Sequence, residues 1–324
     1  MRILIVKLSS LGDVVHCMPA VQDIRHAYPD AHIDWVVERG FMPLVQRCEG
    51  VRHVIPIEER KWRKRPFARA TRVEWRAFRN DLSTHAYDAI IDLQGLTKSA
   101  VIARLAVRAE GGRRFALGNR TDGASWEPPT RWLADRAFRI EPHTHAVQRG
   151  RILCAAALGY ELPVFLRYGL AASMDTAWAA TKTVAFVHGT SRADKCWPES
   201  HWVALARRLI AQGYRIAFPH GSDEERERSE RMATVIGPAA TVWPRLALDD
   251  LTDRIAACAG VIGVDSGLSH IAVALGLPHV QIYNFDTAWR TGPIGNPRQA
   301  SVYARPTPGI EAVAAAWQQV TMPG

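Results

Sequence analysis

Ala259-Gly-Val-Ile-Gly-Val-Asp-Ser-Gly-Leu-Ser-His270, running on to Gly276, reads as a strand, a tight turn and a helix. The apolar run through Val261, Ile262 and Val264 stops at Asp265, and Ser266-Gly267 then opens the helical pattern that runs from Leu268 to Leu275. Open parallel sheets place their ligands here, at the carboxyl end of one strand and the amino end of the next helix. The first N–H groups of a helix lack intrahelical partners and the helix dipole is positive at that end, so such a turn favours an anion. Asp265 can accept hydrogen bonds from hydroxyls, the backbone at Gly267 can approach a ligand, and His270 lies one turn along. Taken alone, the same residues also suit a plain helix cap and a turn glycine.

The rest of the chain repeats this pattern. Residues 2–7, 33–37, 51–57, 89–93 and 114–117 read as strands, and residues near 14–26, 42–48, 73–81 and 98–107 as helices. A Gly/Pro-rich interval, 118–129, is followed by helical patterns near 132–138 and 146–158. The pattern weakens over 161–178, where Leu162-Pro163 suggests a linker. It restarts with strands at 184–188, 215–219, 240–243 and 279–283, helices at 199–212, 224–235 and 248–258, and a closing helix at 310–320. Strand–helix alternation predicts parallel sheets covered on both faces. The expected architecture is α/β: two doubly wound domains, 1–165 and 166–324, facing each other across a cleft, with the last helix a candidate to pack back on the first domain.

Composition narrows the function classes. A chain of 324 residues with 48% apolar and 23% charged residues is globular, and no run of eighteen apolar residues predicts a membrane span. The start, Met1-Arg-Ile-Leu-Ile-Val-Lys7, is too short an apolar core for a signal peptide. Five scattered cysteines without a C-x-x-C pair argue against a disulfide framework or a zinc site and fit a reducing cytoplasm. The net charge of +9 suits an acidic partner: nucleic acid, anionic lipid or a phosphorylated substrate.

Four further stretches carry possible chemistry. Lys7-Leu-Ser-Ser-Leu-Gly-Asp13 is another strand, turn and helix start, and it lacks both the dinucleotide and the P-loop spacing. Asp13 suits a cap or a general base, of low pKa because of the helix terminus; His16 follows one turn on. Nine of the twenty residues 60–79 are Lys or Arg, Glu74 is the one acid among them, and Trp62, Phe67, Trp75 and Phe78 are interleaved. This flap could bind nucleic acid, an anionic membrane surface or a phosphorylated lipid. Asp92-Leu-Gln-Gly95 and Asn119-Arg120 close two strands nearby. His188-Gly-Thr-Ser-Arg-Ala-Asp-Lys195 offers the hydroxyls of Thr190 and Ser191 and a mobile cation, Lys195, as a pyrophosphate requires. Pro219-His-Gly-Ser-Asp-Glu-Glu225 sets acids in the first turn of a helix, for a ribose diol or for the dipole alone.

With these residues in view, the sequence resembles the inverting GT-B glycosyltransferases of family 9, the ADP-heptose transferases of lipopolysaccharide, whose two domains are Rossmann-like. The likeness covers essentially the whole chain. It rests on Ser10-Leu-Gly-Asp13, the Arg60–Lys64 cluster around Trp62, Asp92-Leu-Gln-Gly95, His188-Gly-Thr-Ser with Asp194-Lys195-Cys-Trp-Pro198, Gly221 to Glu225, and Asp265-Ser-Gly-Leu-Ser-His270. Ser266 stands where family members often carry Thr, which keeps the hydroxyl, and Ser191 keeps one beside Thr190. The resemblance implies transfer of L-glycero-D-manno-heptose from its ADP donor to Kdo-lipid A, at the cytoplasmic face of the inner membrane, with no nucleic-acid partner. It implies that Asp13 is the base, that Lys195, Thr190 and Ser191 hold the diphosphate, that Glu225 holds the ribose and that Leu246 contacts adenine. It places Asp265 on the heptose hydroxyls, Ser266, Gly267 and His270 at the phosphate site, and Arg60, Arg63, Lys64 and Arg120 on the acceptor's anionic groups. The basic cluster favours the transferase that adds the first heptose. No D-x-D pair stands at a strand end, and Lys195 with a helix N-terminus can balance the charge on departing ADP, so no metal and no cofactor are expected. The competing readings are heptose transfer to a later core position, a sugar-nucleotide epimerase of the same fold, and a nucleic-acid-binding protein that uses the basic flap.

Overall fold

The computed structural model describes residues 1–173 and 182–322. The chain divides into two compact units, Met1–Leu170 and Ala171–Gly324. In the first unit six parallel strands, β1 (Arg2–Val6), β2 (His32–Glu38), β3 (Val51–Ile57), β4 (Tyr87–Asp92), β5 (Arg108–Leu117) and β6 (Arg136–Phe138), lie in the order β3-β2-β1-β4-β5-β6. Ile3, Leu4, Ile5 and Val6 of β1 are all fully buried, as a central strand covered on both faces requires. In the second unit β7 (Thr183–Val187), β8 (Arg215–Phe218), β9 (Ala240–Val242), β10 (Gly260–Val264), β11 (His279–Tyr283) and β12 (Gln299–Tyr303) take the order β12-β11-β10-β7-β8-β9. Both units therefore share one doubly wound topology. The strand order reverses between β1 and β4 in the first and between β7 and β10 in the second, which is where such sheets bind ligands.

The quoted stretch folds as its pattern predicts. β10 ends at Val264, and the helix Gly267–Ala274 follows Asp265-Ser266. That helix lies close on its strand: a Cβ added to Gly263 would sit 2.3 Å from the Ser269 hydroxyl, which donates to the Val264 carbonyl at 2.6 Å. In the first unit the helices Leu11–Ala27 and Ala146–Leu158 are joined by a buried ion pair, with Arg151 Nε 2.7 Å from Asp23 Oδ2. Arg151 also donates to the carbonyls of Pro163 and Phe165 at 2.8 and 2.9 Å, which anchors the chain leaving this unit.

Three expectations change. The first unit extends to Leu170 rather than 165, because Glu49 N donates to the Gly169 carbonyl and Arg167 pairs with Glu49 at 2.7 Å. Residues 174–178 of the expected linker region lie outside the described residues. The pattern over 132–138 is not one helix: Pro129–Leu133 is helical, and Arg136–Phe138 pairs with β5, where Phe138 stacks on Phe115 with ring centres 6.2 Å apart. β12 escapes the sequence pattern because it lies at the sheet edge, with only Gln299 buried and its outer residues exposed. The last helix, Ile310–Thr321, buries Val313, Trp317 and Val320 in the core of the second unit. The Trp317 ring fills the space beside Gly260, where a Cβ would come within 2.6 Å of it.

Candidate functional site

In the first unit the site forms at the β1/β4 switch point. Ser10 precedes the helix Leu11–Ala27, and Asp13 in its first turn accepts from the Ser10 N–H at 3.1 Å and from its hydroxyl at 2.9 Å. This is the carboxylate half of a capping box, so the cap reading of Asp13 holds. Its side chain is nevertheless 38% exposed, and the Lys7 ammonium, at the end of β1, lies 4.0 Å away and is almost fully buried. Burial alone would raise the Asp13 carboxyl, but Lys7, His16 and the Ser10 hydrogen bonds outweigh it and hold the group well below the usual carboxylate range. Asp13 is thus an ionised acceptor throughout the physiological range.

The end of β4 supports this turn. Gln94 Oε1 accepts from the N–H groups of Leu8 and Ser9, both at 3.1 Å, and Lys7 Nζ donates to the Leu93 carbonyl at 3.3 Å. Asp92 accepts from the N–H groups of Gln94 and Gly95 and from the Ser99 hydroxyl. Burial dominates its titration and pushes its carboxyl up to about 6 despite those bonds. Asp92 therefore shapes the loop and does not face solvent. His16 is buried beside Asp13, along a narrow cavity that Arg149 also lines.

Of the residues expected to meet an acceptor, Arg60, Arg63 and Lys64 lie on the short helix Glu59–Lys64 and Arg120 is exposed in the loop after β5. Asn119 beside it is committed to the fold: its amide bonds both the Ile140 carbonyl and the Ile140 N–H at 2.8 Å. The flap owes its form to Trp62, whose ring packs against Trp75 and Phe78 and whose N–H donates to Glu74 at 2.8 Å. Glu74 also takes Lys61 at 2.7 Å, so the single acid of the basic stretch links its two helices, Glu59–Lys64 and Arg69–Leu82.

In the second unit the ends of β7 and β10 bring six expected residues together. Lys195 closes the short helical turn Ala193–Lys195, and its ammonium lies 2.6 Å from Asp265 Oδ2. Thr190 donates to the Asp265 carbonyl at 3.3 Å, and His270 Nε2 lies 3.4 Å from Asp265 Oδ1. Ser266 precedes the helix Gly267–Ala274, with its hydroxyl 3.5 Å from that of Ser269, and Gly267 is its first residue. Burial would raise the Asp265 carboxyl, but the hydrogen bond and charge of His270 and those of Lys195 hold it well below the usual range. Asp265 is a buried carboxylate with a cation on one oxygen and neutral donors, Gln281 and Thr291, at 3.4 Å from the other.

Glu225 joins from the β8 side. Its carboxylate accepts from the Gly221 N–H at 2.7 Å and lies on Gly189, where a Cβ would come within 2.3 Å of Oε1. A side chain at Gly189 would displace the Glu225 carboxylate from its present place. Ser191 is exposed in the same loop, whereas Leu246 lies in the loop after β9 and is half-buried. His188, neighbour of Gly189, is buried against the Ser229 hydroxyl at 2.7 Å, and burial lowers its pKa to about 4, so it is a neutral structural group. Among the described residues no three His, Cys, Asp or Glu side chains gather as a metal site needs.

Residues 75–312 match the model of glycosyltransferase family 9 (heptosyltransferase). The chain belongs to this family. It is 38% identical to lipopolysaccharide heptosyltransferase 1 of Pseudomonas aeruginosa over 91% of this chain and 82% of that protein. It is likewise 38% identical to lipopolysaccharide heptosyltransferase 1 of Escherichia coli, over 87% of this chain and 88% of the relative. The solved structure of E. coli heptosyltransferase WaaC with ADP matches 99% of this chain and 100% of its own, with a TM-score of 0.87 and 34% identity. The family's GT-B architecture is the one described above.

For a family 9 transferase the sequence reading missed four site groups: Lys7, Gln94, Gln281 and Thr291. Lys7 carried a legible signal, a lysine that closes an otherwise apolar strand. Gln94 stands inside the quoted Asp92-Leu-Gln-Gly95 and meets the Leu8–Ser9 turn, and Gln281 and Thr291 meet Asp265, only when separate strand ends converge.

Proposed function

We propose that this heptosyltransferase moves L-glycero-D-manno-heptose from ADP-heptose to the Kdo of Kdo-lipid A, with inversion and without a metal, as a peripheral protein of the cytoplasmic face of the inner membrane. The observation that carries the reading is the Lys195–Asp265 pair at 2.6 Å, set at a sheet switch point and a helix N-terminus. The pair places a cation for a diphosphate beside a carboxylate for sugar hydroxyls. Likeness at 38% identity to lipopolysaccharide heptosyltransferase 1 supports the sugar and its position, and a relative solved with ADP-2-deoxy-2-fluoro heptose supports the donor.

In this reaction the acceptor oxygen attacks the anomeric carbon, the bond from that carbon to the ADP oxygen breaks, and the electron pair leaves with the diphosphate. Asp13 takes the hydroxyl proton. As a carboxylate held well below its ordinary pKa it is a weak base, so the proton transfers late, once the new bond has begun to form. Lys195, the Thr190 and Ser191 hydroxyls, and the N–H groups that follow Ser266 offset the charge on departing ADP. Glu225 takes the ribose diol and Leu246 the adenine. Arg60, Arg63, Lys64 and Arg120 hold the phosphates and carboxylates of the acceptor.

ADP release from ADP-heptose, with and without Kdo-lipid A and in the presence of a chelator, tests the reading. Release that needs the acceptor and survives chelation is the expected result. Release without acceptor would indicate an epimerase or hydrolase, and release abolished by the chelator would restore a metal. Asp13→Ala is expected to lower turnover by about a hundredfold or more while ADP affinity stays within a factor of two or so.

A further inference from the structure

The first unit carries a groove whose apolar lining the donor and acceptor residues above do not account for. Trp62, Trp75, Val101 and Ile102 line it, and its volume is about 430 Å3. Two of these side chains remain well exposed, Trp75 at 38% and Val101 at 43%, and in the turn between the flap helices Phe67 stands 87% in solvent. A folded surface does not ordinarily leave aromatic and branched side chains open around one groove without something to cover them.

Charge says what covers it. Arg63, Arg72 and Lys98 line the same groove. On the helix Arg69–Leu82 the arginines 69, 72, 76 and 79 recur at helical spacing, about a quarter to a third of a turn from the stripe of Thr71, Trp75, Phe78 and Leu82. The two acids within reach are already engaged, Glu59 with Lys98 at 3.2 Å and Glu74 with Lys61 and the Trp62 N–H. An apolar slot flanked by arginines on long apolar stems matches a lipid whose chain enters the slot while its phosphate stays at the surface.

We propose that this groove, with Phe67 beside it, docks the protein on an anionic phospholipid bilayer by taking one acyl chain, while the arginine stripe meets the phosphates around it. The inference rests on the reading of the protein as peripheral to a membrane and names the surface and the lipid class that would hold it there.

Co-sedimentation of the full-length protein with neutral phosphatidylcholine vesicles, and with vesicles containing about a third phosphatidylglycerol, tests it. Anionic vesicles are expected to bind the wild type at least tenfold more tightly than neutral ones, with sensitivity to salt. Phe67→Ser and Val101→Asp are each expected to cut that binding severalfold and the double variant at least tenfold. Val101→Leu, which keeps the apolar character, binds like the wild type. Turnover with a de-acylated, soluble acceptor reports that the variants are folded and should not change. If the wild type ignores anionic vesicles, both the membrane reading and this inference fall. If it binds them and the double variant binds equally well, the inference alone falls. Unchanged vesicle binding with a raised KM only for an acylated acceptor also overturns it, by assigning the groove to the acceptor's own chains.

Discussion

Lys7 is the residue whose removal says most about Asp13. A buried ammonium 4.0 Å from the carboxylate lowers its pKa more than His16 or the Ser10 hydrogen bonds do. Asp13 acts as a base only when ionised, so activity is lost as pH falls through its pKa, which in the wild type lies below any practical assay range. In Lys7→Met that pKa rises toward the ordinary Asp value of about 4 or beyond, and the acid limb of kcat/KM is expected to enter the pH 4–6 window. Lys7→Arg should keep it out. A limb unmoved in Lys7→Met would assign the depression to Ser10 and His16 instead. Asp92 gives the opposite case. Its carboxyl is pushed up to about 6 in the fold against an ordinary value near 3.8, so the folded state holds the proton longer than the unfolded chain does. Stability therefore falls as pH rises from about 4 to about 6 and is level above that, by on the order of 3 kcal/mol. Asp92→Asn, which keeps an acceptor for the Gln94 and Gly95 N–H groups, removes that slope; urea midpoints of both proteins between pH 4 and 7 measure it. The sequence marks Asp92 as a strand-end carboxylate like Asp265, and both are buried. Their partners separate them, two backbone N–H groups and a hydroxyl for Asp92 against the Lys195 ammonium for Asp265, and a linear pattern does not carry those partners.

Among the elements, the flap shows how a charge run can also be a packed structure. Its basic residues suggest a solvated helix, yet Trp62 is 8% exposed and the ring cluster of Trp62, Trp75 and Phe78 joins the core beneath. Glu74 completes the link by receiving both Lys61 and the Trp62 N–H. Glu74→Ala is expected to loosen the two helices from each other. Limited trypsin digestion should then cut within residues 60–79 severalfold faster than in the wild type, since proteolysis tracks local opening where Lys and Arg are dense. Equal rates would show that the ring cluster alone closes the flap. The elements at the sheet centres were legible because their apolar runs are continuous. The edges divide: β3 and β9 are legible, whereas β6 merges into a helical pattern and β12 goes unmarked, because those two edge strands offer only short or polar runs. The contact of Glu225 with Gly189 is likewise illegible, because it sets a side chain against a missing Cβ 36 residues away.

In the whole molecule, each unit repeats one topology around its own core, and the groups assigned to the donor all lie in the second. The last helix decides whether that unit is self-sufficient. Val313, Trp317 and Val320 fill its core against β10, β11 and the helix Glu199–Ala211, while Arg208 and Glu311 pair at the surface. A fragment from Ala171 to the C-terminus is large enough to bury a core and brings its own closing helix, so it is expected to fold alone. It should bind ADP within about threefold of the full-length affinity while showing no heptose transfer, because Asp13 and the acceptor arginines are absent. The same fragment cut at residue 309 loses the three core side chains and should not fold; Trp317→Ala should cost it about 3–5 kcal/mol. Lys195→Ala within the folded fragment is then expected to weaken ADP by about tenfold or more, with the loss read directly by calorimetry and free of any contribution from the first unit. If the fragment folds and does not bind ADP, the first unit must supply part of the nucleotide site. If it binds ADP and Lys195→Ala binds equally well, the ammonium belongs to Asp265 alone and the diphosphate rests on the loop hydroxyls and the helix N-terminus.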